Sequence, residues 1–346
     1  MKKIAILIPE LSGRGGMETA FVNLYKIMEE SSDYKPTFVF TNGVQKVNYL
    51  KNFPANAIIY KNKSTILKQL LFLINIISSN KYDMFIVTSK RLIILSTYLK
   101  RILHINVPII SWMHFSLSKE GIYINLRRYG DAHLAISKEI YSQIKEMGVD
   151  EDKIFYLPNY VDSHDSLIST PKEIKYIYVG RIEFLKQKNL KELIDGVASL
   201  NYKWTLYIYG DGNDKKLCQD YIERKYPWIK EKIKWKGWMS DPWDDIKTGS
   251  ALILTSIMEG MPMVLIEALS RGLPVLSSDC PTGPKDIIKS GINGYLYKMG
   301  DLSDFREKLY ILKDNKLNRS SVKQSVSSFS KKQYIINLKK ALESFD

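Results

Sequence analysis

The sequence predicts an α/β protein built from two doubly wound parallel sheets, and three observations support this. The chain has 346 residues, which is more than one hydrophobic core usually holds. Short β-branched or apolar runs alternate with longer helical patterns, as expected for parallel strands joined by crossover helices. A polar segment at Ser163–Pro171 interrupts this alternation, which then starts again. We therefore expect two domains that face each other across a cleft, with ligands bound beyond the carboxyl ends of the strands.

The first domain is predicted over residues 1–163. Its shortest apolar runs suit buried strands, and the longer patterns carry apolar residues at helical spacing. The predicted strands are Lys3–Ile8, Met84–Thr88, Ile109–Met113, Ala132–Ile136 and Ile154–Leu157. The predicted helices are Met17–Glu30, Arg91–Ile102 and Lys138–Met147.

The second domain is predicted over residues 164–330, and residues 331–346 are expected to form a last helix that packs back toward the first domain. The same two kinds of pattern alternate here. The predicted strands are Ile174–Val179, Thr205–Tyr209, Ile233–Trp235, Ala251–Leu254 and Pro274–Ser277. The predicted helices are Leu190–Leu200, Lys215–Lys225, Pro262–Arg271, Lys285–Lys289 and Leu302–Lys313.

The chain carries no pattern that predicts export or a membrane span. The most apolar stretches, Ile66–Ile77 and Ile102–Trp112, are shorter than the roughly 20 residues that a spanning helix needs. The N-terminal run is better explained by a buried first strand than by a signal peptide. Cys218 and Cys280 have neither disulfide nor zinc-site spacing. We expect a cytoplasmic protein with free thiols.

The net charge of +14 suggests an anionic partner. Much of it comes from the stretch between Val44 and Ile102, where Asp83 is the only acid among many lysines and arginines. Two interpretations stay open, namely a solvated lysine-rich face and attraction to anionic lipid headgroups, worth roughly 1 kcal/mol per cation near the surface. Nucleic acid ranks last, because no recognised nucleic-acid-binding motif accompanies the charge.

The segment from Gly260 to Val264 predicts an anion site. Gly260 and Met261 follow a strand, and Pro262 suits a first helical turn because its missing N–H costs nothing there. The N–H groups of Met263 and Val264 would then point out of the helix start, where the helix dipole also favours negative charge. The segment is suited to a diphosphate.

Two carboxylates flank this anion site. Glu259 lies just before it and Glu267 about one turn into the helix, so both could meet one ligand at different depths. Carboxylates accept hydrogen bonds from sugar hydroxyls, so one would suit a transferred hexose and the other a ribose. The alternative is a helix with acids near its N-terminus for the dipole alone.

Arg181 and Lys188 form a second candidate group. Gly180 and Arg181 end a predicted strand, and Lys188 follows across a short loop. Both cations could converge on phosphate oxygens and stabilise a leaving group. The alternative is a pair of exposed cations in a protein rich in them.

Weaker indications come from glycine turns and one histidine. The turns Ser12–Gly16, Gly210–Gly212 and Lys236–Trp238 follow strands, but glycine is common in turns. The first turn does not match the dinucleotide fingerprint, so a nicotinamide enzyme is disfavoured. His114 follows a strand and could bind a sugar hydroxyl or be a structural histidine. Because neither Asp211 nor Asp241 belongs to an Asp-x-Asp pattern, we expect no metal.

Together these motifs resemble glycosyltransferase family 4 of the GT-B superfamily over nearly the whole chain. The family's pair of glutamates separated by seven residues matches Glu259 and Glu267. The further matches are its glycine-arginine and lysine pair at Gly180-Arg181 and Lys188, its double glycine at Gly15-Gly16, its histidine at His114 and its linker at Pro158–Asp162. Intact motifs of this kind imply an active enzyme.

Some segments are similar to those of bacterial lipopolysaccharide 1,6-galactosyltransferases and of capsule or exopolysaccharide relatives. These segments are Gly15–Thr19, Ser111–Leu117, Gly237-Trp238 with Pro242-Trp243, and Ser278–Pro284. One departure is Thr255-Ser256, where much of the family has Pro-Ser. The departure is expected to leave the donor site intact.

The resemblance implies a retaining, metal-independent hexosyltransferase with a UDP-sugar as donor and no cofactor. The best match is transfer of galactose from UDP-galactose, in α linkage, to a lipid-linked, lipopolysaccharide or capsular glycan. The implied catalytic residues are Glu259, His114, Arg181 and Lys188. The implied donor-binding residues are Gly15, Gly16, Asp211, Trp238, Gly260, Met261, Pro262, Met263, Val264 and Glu267.

The resemblance also implies how the donor is placed and where the protein works. Uracil would lie near the turn at Trp238, the ribose on Glu267 and the hexose hydroxyls on Glu259, with His114 and Gly16 closing from the first domain. The departing phosphate would take the acceptor's proton. The basic part of the first domain would rest on an anionic membrane, the inner face of the plasma membrane.

Three alternatives remain open from the sequence. The donor could be UDP-glucose or a UDP-N-acetylhexosamine, since these differ from UDP-galactose by one hydroxyl's orientation or one acyl group. A phosphorylase or epimerase of the same fold is a further enzyme class, although no lysine context suits pyridoxal phosphate. A catalytically silent nucleotide-sugar-binding subunit belongs to a different class.

Overall fold

The computed structural model describes residues 1–9, 16–42, 57–59, 66–114, 117, 125–162, 164 and 166–345. The chain divides into two compact units. The first contains Met1–Tyr160 together with Lys332–Asp346, and the second contains Val161–Lys331. Each unit is an α/β structure around its own parallel sheet, as the sequence predicts.

The first unit contains a seven-stranded sheet in the order β3-β2-β1-β4-β5-β6-β7. Its strands are β1 (Lys2–Ile8), β2 (Tyr34–Phe40), β3 (Ile58–Ile59), β4 (Met84–Val87), β5 (Ile109–Met113), β6 (Ala132–Ala135) and β7 (Ile154–Tyr156). Its helices before the second unit are α1 (Gly16–Glu30), α2 (Ile66–Ile77), α3 (Lys90–Ile102) and α4 (Lys138–Glu146). Strands β4 and β5 are buried along their whole length, and β1 is buried from Ile4 onward, as is typical of a sheet covered on both faces.

The second unit contains a six-stranded sheet in the order β10-β9-β8-β11-β12-β13. Its strands are β8 (Ile174–Val179), β9 (Trp204–Tyr209), β10 (Ile233–Gly237), β11 (Ala251–Leu254), β12 (Val275–Ser278) and β13 (Gly294–Tyr297). Its helices are α5 (Leu190–Ala198), α6 (Lys215–Lys225), α7 (Met263–Ser270), α8 (Pro284–Ile287), α9 (Leu302–Asp314) and α10 (Arg319–Gln324). The strand order reverses between β8 and β11, which makes a topological switch point.

The last helix, α11 (Lys331–Glu343), is part of the first unit from residue 332 onward. Leu338 is buried, and the Tyr334 ring packs against that of Tyr160 with centroids 5.2 Å apart. At the surface, Lys339 Nζ lies 3.2 Å from Asp33 Oδ2. Burial of apolar side chains therefore joins this helix to the first unit.

Some features depart from the sequence prediction or were not predicted. Strand β2 was missed, although it pairs on both sides with β1 and β3. Pro262 is the N-cap of α7, with φ −73° and ψ 91°, and the helix begins at Met263. The prediction that Pro262 lies in the first turn is therefore wrong by one residue. Strand β13 and helix α10 were also missed.

The apolar stretch Ile66–Ile77 forms α2, a helix of 12 residues. Among the described residues, no helix is long and apolar enough to cross a membrane. Cys218 and Cys280 are both buried free thiols, and burial raises the pKa of each to about 12.

Candidate active site

The switch point of the second sheet brings the predicted site segments together. Strands β8 and β11 are paired in parallel, with Tyr176 opposite Ala251. The loops that follow them begin at Gly180 and Thr255 and therefore leave the same edge of the sheet side by side. Arg181 and Lys188 lie in the first loop and Glu259 in the second. Ligands of doubly wound sheets bind at this kind of edge.

Lys188 and Glu259 form a largely buried ion pair. Lys188 Nζ lies 2.6 Å from Glu259 Oε1, and the two side chains are 15% and 7% exposed. Ser256 Oγ donates a second hydrogen bond to the same oxygen at 2.6 Å. A buried pair needs such extra hydrogen bonds to offset desolvation. The structure thus brings these two predicted residues into direct contact.

Arg181 is held by different partners. Its Nη1 lies 2.9 Å from Glu183 Oε1, and its Nη2 donates to Gln187 Oε1 at 2.8 Å. Gln187 Nε2 in turn donates to the carbonyl oxygen of Met258 at 3.2 Å. The Arg181 side chain is about half exposed, so part of it is open to a ligand.

Thr255 and Ser256 join the two loops. Thr255 Oγ1 donates at 3.1 Å to the carbonyl oxygens of Lys188 and Asn189. The following strand contributes Ser278, whose hydroxyl donates to the carbonyl oxygen of Ser256 at 2.5 Å. The departure from the family's Pro-Ser pattern therefore supplies hydrogen bonds that fix the Lys188 backbone.

The start of α7 lies against a tight glycine turn. Gly283 has φ +89°, and a Cβ there would come within 2.5 Å of Pro262 Cδ and 3.0 Å of the Gly260 carbonyl oxygen. Met261 and Met263 are buried, whereas Val264 is partly exposed. Since the first amides of a helix lack intrahelical acceptors, Met263 and Val264 present the predicted anion-binding groups.

Glu267 lies one turn further along α7, and a neutral donor holds it. Trp243 Nε1 donates to Glu267 Oε2 at 3.0 Å. Burial raises the pKa of the Glu267 carboxyl, while this hydrogen bond and the charge of Arg271 act in the opposite direction. The two glutamates of the motif therefore have different surroundings.

The glycine turns after β9 and β10 lie along the same edge. A Cβ at Gly210 would come within 1.8 Å of the Gly180 carbonyl oxygen, so only glycine allows this approach. Asp211 is exposed, and its carbonyl oxygen accepts a hydrogen bond from Ile182 N at 3.0 Å. Trp238 is 68% exposed and follows the outermost strand on this side.

The sequence also predicted site residues in the first unit, namely His114, Gly15 and Gly16. His114 directly follows β5 and is 5% exposed, with its ring centroid 5.2 Å from that of Phe21 and 4.4 Å from that of Trp112. Burial lowers the pKa of His114 to about 3, so the ring is neutral at physiological pH. Gly16 begins α1, and Gly15 lies outside the described residues.

The segment that holds these residues of the second unit matches a known protein family. The family model described as Glycosyl transferases group 1 matches residues 162–336. The chain belongs to this family. The match includes the Lys188–Glu259 pair, Arg181 and Glu267, so the site lies inside the glycosyltransferase domain.

Known group 1 relatives match over much or all of the chain. Lipopolysaccharide 1,6-galactosyltransferase of Escherichia coli K12 is 40% identical over 249 residues, which are 69% of this chain and 68% of that protein. The enzyme of the same name from Salmonella typhimurium LT2 is 34% identical over 316 residues, 88% of this chain and 87% of that protein. The apo structure of the lipopolysaccharide outer core galactosyltransferase WaaB has a TM-score of 0.86 at 32% identity and covers 99% of this chain and 100% of its own. The predicted GT-B fold class is confirmed.

Trp243 is one of the residues of the candidate site to which the sequence analysis gave no role. It was noted only as part of Pro242-Trp243, without a role. Its contact with Glu267 spans 24 residues, and no local pattern predicts it. Among the described residues, no group of three acids, histidines or cysteines is arranged as metal ligands.

Proposed function

We propose that this chain is a retaining galactosyltransferase of family 4. It transfers galactose from UDP-galactose, in α linkage, to a lipid-linked or lipopolysaccharide glycan. The observation that carries the proposal is the buried Lys188–Glu259 pair, 2.6 Å apart at the switch point of the second sheet. The names and similarity of the two lipopolysaccharide 1,6-galactosyltransferases support galactose and this acceptor class.

In this proposal the diphosphate of the donor lies at the start of α7. The amides of Met263 and Val264 bind it from the helix side, and Arg181 and Lys188 approach it from the β8 loop. As the glycosidic bond breaks, negative charge grows on the β-phosphate. Two cations that are already in place beside that charge stabilise it, and no side chain has to move during the reaction.

The carboxylates hold the two sugars. Glu259 accepts hydrogen bonds from hexose hydroxyls, and its ion pair with Lys188 fixes its position next to the breaking bond. Glu267 accepts from the ribose, and uracil lies toward Trp238. The departing phosphate takes the proton of the acceptor hydroxyl on the face where the new bond forms, so the reaction retains configuration and requires neither a protein nucleophile nor a metal.

The acceptor side of the proposal uses the first unit. A neutral His114, with a pKa lowered to about 3, can exchange hydrogen bonds with a sugar hydroxyl without adding charge. The double glycine Gly15-Gly16 would allow backbone to approach the donor closely.

The first unit also carries a surface suited to an anionic membrane. One face of α3 exposes Arg91, Leu95, Tyr98 and Ile102, which follow helical spacing. The neighbouring α2 exposes Leu67, Lys68 and Leu71. Exposed cations beside exposed apolar side chains are typical of helices that rest in a lipid interface. We therefore place the enzyme in the cytoplasm, peripherally on the inner face of the plasma membrane.

One experiment tests the donor and the reaction class together. The purified chain is offered UDP-galactose, UDP-glucose, UDP-N-acetylhexosamines and GDP-sugars, and donor hydrolysis and thermal shift are recorded. UDP-galactose should be hydrolysed fastest and should raise the melting temperature, because a ligand stabilises the state that binds it. Fastest hydrolysis of another UDP-sugar would select that alternative donor.

The same preparation tests the other features. Addition of EDTA should leave the rate unchanged. When a lipopolysaccharide glycan acceptor is added, proton NMR of the transfer product should show an α linkage. A rate lost in EDTA and restored by manganese would contradict the metal-independent mechanism. Thermal stabilisation by a UDP-sugar without any turnover would instead favour the silent binding subunit.

A further inference from the structure

Trp243 lies in a short loop segment that is fixed at its start. It belongs to the 3-10 helix Pro242–Asp244, between β10 and β11. Asp241 caps this turn, and its Oδ1 accepts a hydrogen bond from Trp243 N at 2.9 Å. The Trp243 side chain is 8% exposed, so its ring has little freedom to move.

The end of the segment is fixed as well. Asp245 Oδ2 accepts a hydrogen bond from the Tyr209 hydroxyl at 2.8 Å and lies 3.0 Å from Lys236 Nζ. These contacts tie the loop to β9 and β10. The backbone on both sides of Trp243 is therefore anchored by contacts outside α7.

From this position the indole holds Glu267 together with Arg271. The Trp243 N–H donates to Glu267 Oε2 at 3.0 Å. The Arg271 guanidinium lies 4.8 Å from the centroid of the indole, and its Nη1 donates to the carbonyl oxygen of Glu267 at 3.0 Å. Trp243 thus holds the carboxylate of Glu267, and Arg271 holds its backbone carbonyl.

We propose that Trp243 is a positioning residue for nucleotide binding, acting through the carboxylate of Glu267. The inference rests on the proposed function, in which Glu267 binds the ribose of the nucleotide. A carboxylate that receives a vicinal diol must present its oxygens in a set orientation. A single indole donor on Oε2 fixes that orientation and leaves acceptor capacity for the ligand.

The indole also favours the charged form of this acid. Burial raises the pKa of Glu267, and the Trp243 hydrogen bond opposes that rise. The charged groups around Glu267 are Arg271, which caps the C-terminus of α7, and Asp241 on the loop. Arg271 is further faced by Asp244 and His164. Without the indole N–H, the pKa of Glu267 should rise further. Protonation of Glu267, and with it the loss of UDP binding on acidification, should then begin at a higher pH.

Trp243→Phe tests this, since phenylalanine keeps an aromatic ring for Arg271 and removes the N–H donor together with part of the ring volume. Loss of the hydrogen bond that orients this carboxylate should cost binding about 1 to 1.5 kcal/mol, so the Kd for UDP and the donor KM should each rise about five- to tenfold, with kcat within about twofold. The pH below which UDP binding weakens should move upward. Trp228→Phe is the matched control, because Trp228 is 61% exposed beside Tyr226, and it should change neither constant.

A double-mutant cycle separates positioning from a purely structural role. In a Glu267→Ala background, which removes the acceptor of the indole N–H, Trp243→Phe should alter the UDP Kd by less than about twofold, because the two changes act through one contact. Equal effects of Trp243→Phe in both backgrounds would overturn the inference. Should Trp243→Phe not fold, Trp243→His, which retains a ring N–H, takes its place and should lose less affinity than Trp243→Leu.

The outcomes for the two proposals differ. If Glu267→Gln weakens UDP while Trp243→Phe does not, the role of Trp243 is wrong and the proposed donor site stands. If Glu267→Gln itself leaves UDP affinity unchanged, the ribose placement fails and the inference fails with it.

Discussion

At the scale of single residues, the two glutamates of the site differ in what surrounds them. Glu259 is paired with a cation and a hydroxyl, at 2.6 Å each, whereas Glu267 accepts from a neutral indole. A carboxylate beside Lys188 suits the place where charge changes during reaction. A carboxylate held by a neutral donor suits a part of the ligand that stays unchanged.

The first prediction follows from this difference. Glu259→Gln should mainly lower kcat, because interactions made in the transition state appear there. Glu267→Gln should mainly raise the donor KM and weaken UDP. Charged hydrogen bonds contribute about 1.5 to 3 kcal/mol, which corresponds to roughly ten- to a hundredfold. Steady-state kinetics and UDP calorimetry measure both, and equal weakening of UDP by the two variants would refute the assignment.

At the scale of elements, the ends of β8 and β9 are fitted to each other. Gly180 N donates to the carbonyl oxygen of Tyr209 at 2.9 Å, and Gly210 approaches the Gly180 carbonyl so closely that a Cβ would lie 1.8 Å from it. Arg181 follows directly. The close backbone contact between these strand ends therefore fixes the position of the Arg181 backbone.

The second prediction concerns Gly210→Ala. The added methyl group must push the two strand ends apart, so the free energy of unfolding should fall by about 3 kcal/mol and the donor KM should rise. Gly291→Ala is the matched control, because Gly291 has φ +78° and a Cβ added there would meet no atom of the described residues within 4 Å. It should lose only about 1 to 2 kcal/mol from backbone strain and keep its KM. Urea unfolding and donor kinetics measure these effects, and similar losses in both variants would contradict the steric argument.

Sequence periodicity predicted most elements of both sheets, because buried parallel strands and amphipathic helices leave strong local patterns. It missed β2, where Pro36 stands inside the strand opposite Ile4 and proline argues against a central strand. The residue types around Lys188 and Glu259 were predictable, but their pairing was not. That contact joins positions 71 residues apart and depends on the order of strands β8 and β11.

At the scale of the whole molecule, charge is distributed unevenly. The net charge is +14, and in the first unit α3 combines Lys90, Arg91 and Arg101 with exposed apolar side chains. Lys100 on the same helix is already neutralised by Asp131, at 2.7 Å. Cations of the second unit such as Lys216 and Lys230 are paired with acids on their own surface. Cations beside exposed apolar groups make the first unit the candidate for membrane contact.

The third prediction is that the chain binds anionic vesicles through α2 and α3. Replacing Lys68, Arg91 and Arg101 with glutamine should lower the partition coefficient on the order of a hundredfold at low salt, since each cation contributes roughly 1 kcal/mol near the surface. The control variant replaces the exposed Lys203, Lys216 and Lys230 of the second unit with glutamine. It loses the same number of positive charges and should bind vesicles almost normally. Raising the salt should weaken binding of the native chain, because exposed charges are screened over about 8 Å at physiological ionic strength. Liposome flotation measures all three proteins. Equal binding to neutral and anionic vesicles, or equal losses in the two variants, would show that these cations are only a solvated surface.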